Sequence, residues 1–254
     1  MIHALSDDGR RALSQAASHP LLYAFDFDGT LAPISSDRRA VTVSAGTLQL
    51  LGALAKLAPC AIVSGRALAD VAARVDGDVP HVIGNHGIES PLTSRQTLHE
   101  AEHTCATWKS QLAGSPSIPP GAEVEDKRYS LTVHLRGAQN PAQAGMTALA
   151  ALRGLTPAPQ LMEGKYSINL LPPGLGGKGP ATLALMKHLG RTGLFYIGDE
   201  ETDETVFSLG QVVKMGVRVG RLDGSRAGFY LDHQAEIEDL LRLLVRCLAG
   251  GRGY

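Results

Sequence analysis

The chain has 254 residues, of which 44% are apolar, enough for one large domain or for a core domain that carries a smaller inserted one. With 24 basic and 25 acidic side chains the formal net charge is -1, and aromatic residues make up only 5%. This balance argues against a nucleic-acid partner and against an acidic membrane surface, and we expect neither.

The three cysteines, Cys60, Cys105 and Cys247, are odd in number and far apart, so they fit neither a disulfide framework nor a CxxC metal site. Residues 1–20 lack the apolar core of a signal peptide, and no apolar run reaches the roughly 18 residues of a membrane span. We therefore expect a cytoplasmic protein, and its oligomeric state is left open, with a monomer as one alternative.

Short apolar runs alternate with helical patterns in the first part of the chain. Three runs have the character of buried strands: residues 21–25, 60–63 and 81–83. Helical spacing of apolar residues lies between them, at 44–56 and at 68–75. Ser44 is a suitable N-cap for the first of these helices. This alternation predicts a doubly wound parallel sheet, that is, a Rossmann-like α/β fold.

The pattern changes at residue 88. Residues 129–135 and 166–170 alternate apolar and polar side chains, which is typical of strands with one wet face. Helices are predicted at 100–112 and 141–153. We interpret residues 88–172 as an inserted α+β cap domain.

The buried-strand pattern then returns. Strands are predicted at 193–197 and 212–217, and helices at 180–189 and 234–248. The predicted organisation is therefore a core (residues 1–87), the cap (88–172), and the second part of the core (173–254).

Polar side chains follow three of the predicted core strands. These are Asp26 with Asp28, then Ser64, then Asp199 with Asp203. In doubly wound sheets, ligands gather at the carboxyl ends of the strands, so these groups are expected at one edge. Each motif alone has a plainer interpretation, namely an acidic turn, a helix N-cap or an acidic helix start. Together, the crowded carboxylates predict a hard cation, and an oxygen-only set favours Mg²⁺.

A basic group at a helix start supplies the complementary charge. Lys178 follows Gly176 and Gly177 at the beginning of a predicted helix, where free backbone N–H groups favour an anion. A Walker A loop is excluded, because Pro172 and Gly179 stand where that loop requires Gly and Ser or Thr. The spacing of Asp26, Asp28 and Gly29 also excludes an EF-hand. Phosphate binding is thus expected without a nucleotide.

These motifs resemble, in order, the four motifs of the haloacid-dehalogenase superfamily: 26–31, Ser64, Lys178 and 198–203. The position of the insertion is similar to that of its C2-type caps. Six short segments more narrowly resemble trehalose-6-phosphate phosphatases: 62–66, 86–89, 125–127, 134–136, 164–165 and 198–204.

The resemblance implies a phosphatase with Asp26 as nucleophile and Asp28 as general acid and base. It implies that Ser64, Gly65 and Lys178 bind the phosphate. It further implies that Mg²⁺ is held by Asp26, the backbone carbonyl of Asp28, Asp199 and Asp203, with orientation of Lys178 as the alternative for Asp203. We expect burial beside other carboxylates to raise the pKa of Asp28.

For the substrate, the resemblance implies trehalose 6-phosphate. The residues expected to contact its sugar are His86, Glu125, Lys127, His134, Lys165 and Asn169. Each has an equally good plain interpretation: the residues of the cap as ordinary polar or charged side chains on an exposed sheet face, and His86 as a contact inside the core. Two positions depart from the family pattern: Glu200 replaces an Asp, and Asn169 replaces a Glu. The second departure leaves open a phosphatase for another sugar phosphate, and a degenerate sugar-phosphate-binding module is the other alternative.

Overall fold

The structure is a computed structural model that describes residues 1–35, 37–75, 77, 79–113, 118–164 and 166–250. Backbone contacts divide the chain into two units, Met1–Leu92 with Gly177–Tyr254, and Thr93–Gly176. The sequence placed these boundaries at 87/88 and 172/173, a few residues earlier. Residues just beyond 87 stay with the first unit because Glu89 pairs with Gly84 in an isolated β-bridge.

The strands and helices of the described residues are as follows. The strands are β1 Ile2–His3, β2 Leu21–Phe25, β3 Cys60–Val63, β4 His81–Ile83, β5 Glu123–Asp126, β6 Leu131–His134, β7 Gln160–Gly164, β8 Ser167–Leu171, β9 Gly193–Gly198, β10 Val213–Val219 and β11 Phe229–Leu231. The helices are α1 Asp7–Ala17, α2 Ala45–Ala55, α3 Leu68–Val75, α4 Arg95–Leu112, α5 Pro141–Leu152, α6 Lys178–His188, α7 Glu204–Phe207 and α8 Ile237–Gly250.

In the first unit, seven strands of the described residues form one sheet in the order β1-β11-β10-β9-β2-β3-β4. Every neighbouring pair in it is parallel. The central pair β2 and β9 is buried along its whole length, as expected of strands covered on both faces. The predicted doubly wound α/β sheet is confirmed.

Helices cover both faces of this sheet. Tyr23 and Phe25 of β2 pack with residues of α1, α2 and α8 in one core cluster. Leu22 and Ala24 point to the other face and pack with residues of α6 and α7. This follows from the two-residue period of a strand, which sends alternate side chains to opposite faces. Ser44 caps α2 as predicted, and its hydroxyl accepts a 3.0 Å hydrogen bond from the backbone N–H of Thr47.

The second unit is an antiparallel sheet with two helices. Its strand order is β5-β6-β8-β7. One face carries an apolar cluster in which Leu131, Val133 and Ile168 pack with Trp108 of α4 and Leu152 of α5. The opposite face carries the polar residues of the same strands, so the predicted α+β character is confirmed. Among the described residues, no helix has the length and apolar character needed to cross a bilayer.

Candidate active site

The loop after β2 carries Asp26 and is fixed by its own backbone. The N–H of Asp26 donates to the carbonyl of Ile197 (2.9 Å), which extends the pairing of β2 with β9 by one residue. The carbonyl of Phe27 then accepts from the N–H groups of Leu31 and Ala32, which closes the turn. Asp26 is 3% exposed, so its carboxylate is buried at the position that directly follows β2.

Gly29 in this turn has a φ of 76°, a left-handed conformation that favours glycine. A Cβ at this position would also collide with the carboxylate of Asp199. The glycine of the motif is therefore required for two reasons, the turn itself and the close approach of the loop that follows β9.

Lys178 forms ion pairs with two carboxylates, one of which is that of Asp26. Its Nζ lies 2.7 Å from Asp26 Oδ1 and 2.8 Å from Asp203 Oδ1, and the side chain is 1% exposed. Burial lowers the pKa of Lys178, but the charges of Asp203 and Asp26 outweigh burial and raise this pKa well above its ordinary value. The ammonium group is therefore a permanent positive charge in the site.

Asp203 is held by three donors. Lys178 Nζ and the Tyr196 hydroxyl donate to Oδ1, the latter at 2.6 Å, and the Glu200 N–H donates to Oδ2 at 2.9 Å. Asp203 and Glu200 form a reciprocal capping box at the start of the short 3₁₀ helix 201–203. Glu200 thus has a local structural role at one of the two positions that depart from the family pattern.

Three carboxylates converge at the edge of the sheet. One oxygen each of Asp26, Asp199 and Asp203 lies within 4.8 Å of the other two. Burial and the charges of Glu200 and Asp203 raise the pKa of Asp199 to about 7. Burial also raises the pKa of Asp26, although Lys178 opposes this shift. Crowding of buried carboxylates costs free energy that a bound cation would offset.

The cluster also contains an oxygen without a partner. Asp199 Oδ1 is buried and accepts no hydrogen bond from any described residue. An unpaired buried acceptor beside two further carboxylates fits a hard divalent cation with oxygen ligands. Asp203 fits the ligand role less well, because both of its oxygens already accept hydrogen bonds within the chain.

Asp28 does not lie in the surroundings that the sequence predicted. Its side chain is 34% exposed, and both of its oxygens accept hydrogen bonds from Arg66, at 2.7 Å each. The expectation of burial beside other carboxylates was therefore wrong. The reason is the order of the strands: β3 lies next to β2, and the loop after β3 brings a guanidinium to the exposed end of the turn.

The loop after β3 carries the two other predicted phosphate ligands. Ser64 is 1% exposed, and its N–H donates to the carbonyl of Ile83. Because β2 and β3 are adjacent and parallel, Ser64 and Asp26 follow neighbouring strands at one edge. The imidazole of His86 lies against Gly65, where a side chain at residue 65 would overlap it.

His86 is buried in the first unit at 3% exposure and has a φ of 53°. Its N–H donates to the carbonyl of Ser64 (3.0 Å), and its carbonyl accepts from the N–H of Gly177 (2.5 Å). Of the two contacts expected for His86, the structure contains the one inside the core. A contact between His86 and the sugar stays a prediction. The backbone of His86 connects the Ser64 loop to the residue that precedes Lys178.

Glu125, His134 and Asn169, which the sequence predicts to contact the sugar, share one face of the sheet in the second unit. Glu125 pairs with Thr132, Thr132 with Asn169, and cross-strand partners point to the same face. His134 lies two residues beyond Thr132 and so joins them, with its Nε2 2.9 Å from Glu125 Oε2. Lys127 Nζ lies 3.9 Å from the same glutamate oxygen. Lys165 lies outside the described residues.

Asn169 is bonded within this face. Its Oδ1 accepts from the Thr132 hydroxyl at 2.7 Å, its Nδ2 donates to the Met162 carbonyl at 3.4 Å, and it is 7% exposed. The amide that replaces the usual carboxylate is therefore hydrogen-bonded to other residues of its own sheet. Its role towards a sugar stays a prediction.

Three residues around the site were not assigned by the sequence. They are Arg66, which binds Asp28, Tyr196, which binds Asp203, and Arg218. Arg218 donates to the carbonyls of Asp199 (2.6 Å) and Glu200 (3.1 Å). Arg66 belongs to one of the segments that carry the family resemblance, which is a usable signal. Tyr196 lies inside an apolar strand and has the pattern of a core residue. Arg218 follows the predicted strand 212–217, where nothing in the sequence marks its role.

Comparison with known proteins gives a consistent result. The family model for trehalose-phosphatase matches residues 24–227. The chain is 34% identical over 94% of its length to a trehalose-phosphate phosphatase of Mycobacterium avium, and 32% identical over 91% to that of Mycobacterium tuberculosis. It spans 65% and 63% of the length of these two relatives.

Solved structures agree on the fold. The C-terminal domain of the C. albicans trehalose-6-phosphate phosphatase superposes with a TM-score of 0.72 at 20% identity, covering 97% of this chain and 99% of that one. A trehalose-6-phosphate phosphatase related protein gives 0.71 at 21% identity, covering 91% of this chain and 100% of that one. With the matched family model and the mycobacterial relatives, these findings show that the chain belongs to the trehalose-phosphatase family.

Proposed function

We propose that the chain hydrolyses trehalose 6-phosphate to trehalose and phosphate through a phosphorylated Asp26, with Mg²⁺ as cofactor. The observation that carries this proposal is the buried bridge of Lys178 between Asp26 and Asp203, beside the unpaired oxygen of Asp199. Family membership supports the reaction class, and the names of the mycobacterial relatives support the substrate.

The first step is attack of Asp26 on phosphorus. Lys178 donates to Oδ1 at 2.7 Å, whereas Oδ2 accepts only a long hydrogen bond of 3.5 Å from the Thr30 hydroxyl. Oδ2 is therefore the oxygen we assign to the new P–O bond, which forms while the bond to the sugar oxygen breaks. Coulomb repulsion between the carboxylate and the phosphate dianion opposes this attack by roughly several kcal/mol at low dielectric. The fixed positive charge of Lys178 offsets part of this repulsion without reorganisation.

Asp28 moves the protons. It donates one to the departing sugar oxygen and then takes one from the water that hydrolyses the aspartyl-phosphate. The ion pair with Arg66 suits the second step, in which Asp28 acts as a carboxylate. The first step requires a protonated Asp28, so the proposal requires Arg66 to release at least one of its oxygens when the substrate binds.

The residues present fit a divalent cation. Asp26, Asp199 and the backbone carbonyl of Asp28 would hold Mg²⁺, with Asp203 nearby to complete the acidic set. When bound, the ion supplies positive charge to the phosphoryl oxygens and compensates the crowded carboxylates.

The second candidate is a phosphatase for a different sugar phosphate. Asn169 favours it, because its amide is neutral and is bonded to Thr132 and to the Met162 carbonyl. A site built without the carboxylate has one fewer strong acceptor for a sugar hydroxyl. The chemistry at Asp26 is the same for both candidates.

A substrate panel separates the candidates. Phosphate release is measured from trehalose 6-phosphate, glucose 6-phosphate and p-nitrophenyl phosphate, with Mg²⁺ and with EDTA, using Asp26→Asn as the matched inactive control. We expect kcat/KM to be highest for trehalose 6-phosphate and to require Mg²⁺. Release from glucose 6-phosphate that is equally efficient would favour the second candidate. Equal, slow release by the wild type and by Asp26→Asn would instead indicate a binding module.

A further inference from the structure

The hydroxyl of Tyr196 is the one side-chain donor from the central strands that reaches the Lys178 bridge within the described residues. Tyr196 lies in β9 beside Ala24 of β2, and its side chain is completely buried. Its ring packs edge-on against Phe207 of α7, with the centroids 5.6 Å apart. Packing on the ring therefore fixes where the hydroxyl lies.

This hydroxyl shares an acceptor with Lys178. Tyr196 donates to Asp203 Oδ1 at 2.6 Å, and Lys178 Nζ donates to the same oxygen at 2.8 Å. The second oxygen of Asp203 accepts from the Glu200 N–H. Glu200 donates from the backbone and Tyr196 from a packed ring, whereas the lysine side chain is flexible and can follow the carboxylate as it turns. Tyr196 and Glu200 are therefore the two donors that fix the plane of this carboxylate.

Lys178 is located by its two carboxylate partners. Its ammonium group contacts Asp26 on one side and Asp203 on the other. If Asp203 rotated, its attraction would draw the ammonium away from Asp26, since the side chain of lysine is flexible. The geometry of the nucleophile therefore depends on what holds Asp203.

From these contacts we propose that Tyr196 is a positioning residue for the reaction: it holds Asp203 so that Lys178 stays on Asp26. The inference rests on the proposed phosphatase function and adds a residue to it. Tyr196 contacts no reacting atom, and it acts through Asp203.

A proton-transfer role for this phenol is disfavoured by its surroundings. The ring is completely buried and packs against Phe207, and the hydroxyl already donates to Asp203 Oδ1. The phenol therefore acts as a fixed donor to that oxygen.

The same sheet offers a matched control. Tyr23 is a buried tyrosine in β2, stacked on Phe195 with the centroids 5.6 Å apart. Its hydroxyl has no hydrogen-bond partner among the described residues. Tyr23→Phe thus removes the same atom from a buried tyrosine on the opposite face of the same sheet, without touching the Lys178 bridge.

The experiment compares Tyr196→Phe, Tyr23→Phe, Asp203→Ala and the double variant Tyr196→Phe/Asp203→Ala. We measure kcat and KM for trehalose 6-phosphate and for p-nitrophenyl phosphate, and the unfolding midpoint in urea. Loss of a partner that orients an active-site carboxylate costs roughly 10- to 100-fold in activity. We expect a decrease of this size in kcat for Tyr196→Phe with a much smaller change in KM, and wild-type kinetics for Tyr23→Phe.

The double variant tests whether Tyr196 acts through Asp203. We expect Tyr196→Phe to cause no further loss of kcat once Asp203 is alanine, since the acceptor is gone. An unchanged kcat in Tyr196→Phe with only a shift in the unfolding midpoint would overturn the inference, as would the full loss repeated in the alanine background. A wild type that releases phosphate from neither substrate would overturn the proposed function and, with it, the role of Tyr196.

Discussion

The two units use polar side chains in opposite ways. In the first unit, Asp26, Lys178 and Asp203 are at most 3% exposed and are fixed by ion pairs. In the second unit, Glu125 and His134 lie on one face of an antiparallel sheet, partly exposed and bonded to each other. Buried charges that are fixed by ion pairs keep one set of partners, whereas partly exposed polar side chains can exchange their partners for groups of a ligand. Under the proposed function, the first unit would carry out the chemistry, and the polar face of the second unit would select the substrate.

The comparison is tested most strongly at the nucleophile. Asp26→Asn keeps the shape of the side chain but removes the anion that attacks phosphorus, so we expect phosphate release to decrease by at least roughly 10⁴-fold for every substrate. Steady-state assays across the substrate panel measure this. A loss confined to one substrate would place substrate selection, rather than chemistry, at Asp26.

Asp28→Asn is expected to have the next largest effect. The amide cannot donate an acidic proton or accept one, and general acid–base groups contribute roughly 10²–10⁴-fold. We expect kcat to decrease by that factor for trehalose 6-phosphate. The decrease should be smaller for p-nitrophenyl phosphate, whose leaving group needs less protonation. Equal decreases for both substrates would remove Asp28 from the role of acid.

The crowded carboxylates predict a pH effect on stability in the absence of divalent cations. Because the pKa of Asp199 is about 7 in the folded chain against an ordinary 3.8, the folded state keeps a proton that the unfolded state releases. The free energy of unfolding should therefore decrease as the pH rises from about 4 to about 7. Asp199→Asn should lose less stability over this range, by on the order of 1–4 kcal/mol.

Urea unfolding in EDTA at about pH 5 and about pH 8 measures this difference. Adding Mg²⁺ at the higher pH should stabilise the wild type more than Asp199→Asn, because the ion binds the folded state. If the free energy of unfolding depends on pH in the same way for the two proteins, and Mg²⁺ stabilises both equally, then Asp199 does not carry the raised pKa.

The smallest effects are expected in the second unit. Asn169→Ala removes the hydrogen bond with Thr132 and should lower the free energy of unfolding by about 1 kcal/mol. Turnover of p-nitrophenyl phosphate should be unchanged. Asn169→Glu restores the carboxylate of the family pattern and should raise the preference for trehalose 6-phosphate over glucose 6-phosphate. A general loss of turnover in both variants would show that this face contributes to the chemistry.

Sequence reasoning found the residues that follow the strands, and it missed the residues that support them. Asp26 and Lys178 were predictable because strand ends and helix starts are visible as changes in pattern. The pairing of Asp28 with Arg66 was not, since it depends on which strands are neighbours and on how one side chain turns at the edge. Tyr196 was hidden because an apolar strand does not reveal which of its aromatic residues has a polar partner.

Short elements were also missed, for a different reason. β1 and β11 have two and three residues, too few to show a period. Helix α1 had a usable signal, because the Ser6 side chain caps it and Asp7 and Asp8 lie in its first turn.

The most direct test of the central claim is to trap the phosphorylated residue. Sodium borohydride reduces an acyl phosphate to an alcohol, so an aspartyl-phosphate formed during turnover is converted to homoserine. We predict homoserine at residue 26, found by mass spectrometry of peptides, only when trehalose 6-phosphate and Mg²⁺ are both present. Phosphate release by the wild type with Asp26 left unmodified under the same conditions, or homoserine at another aspartate, would contradict the assignment of Asp26 as nucleophile.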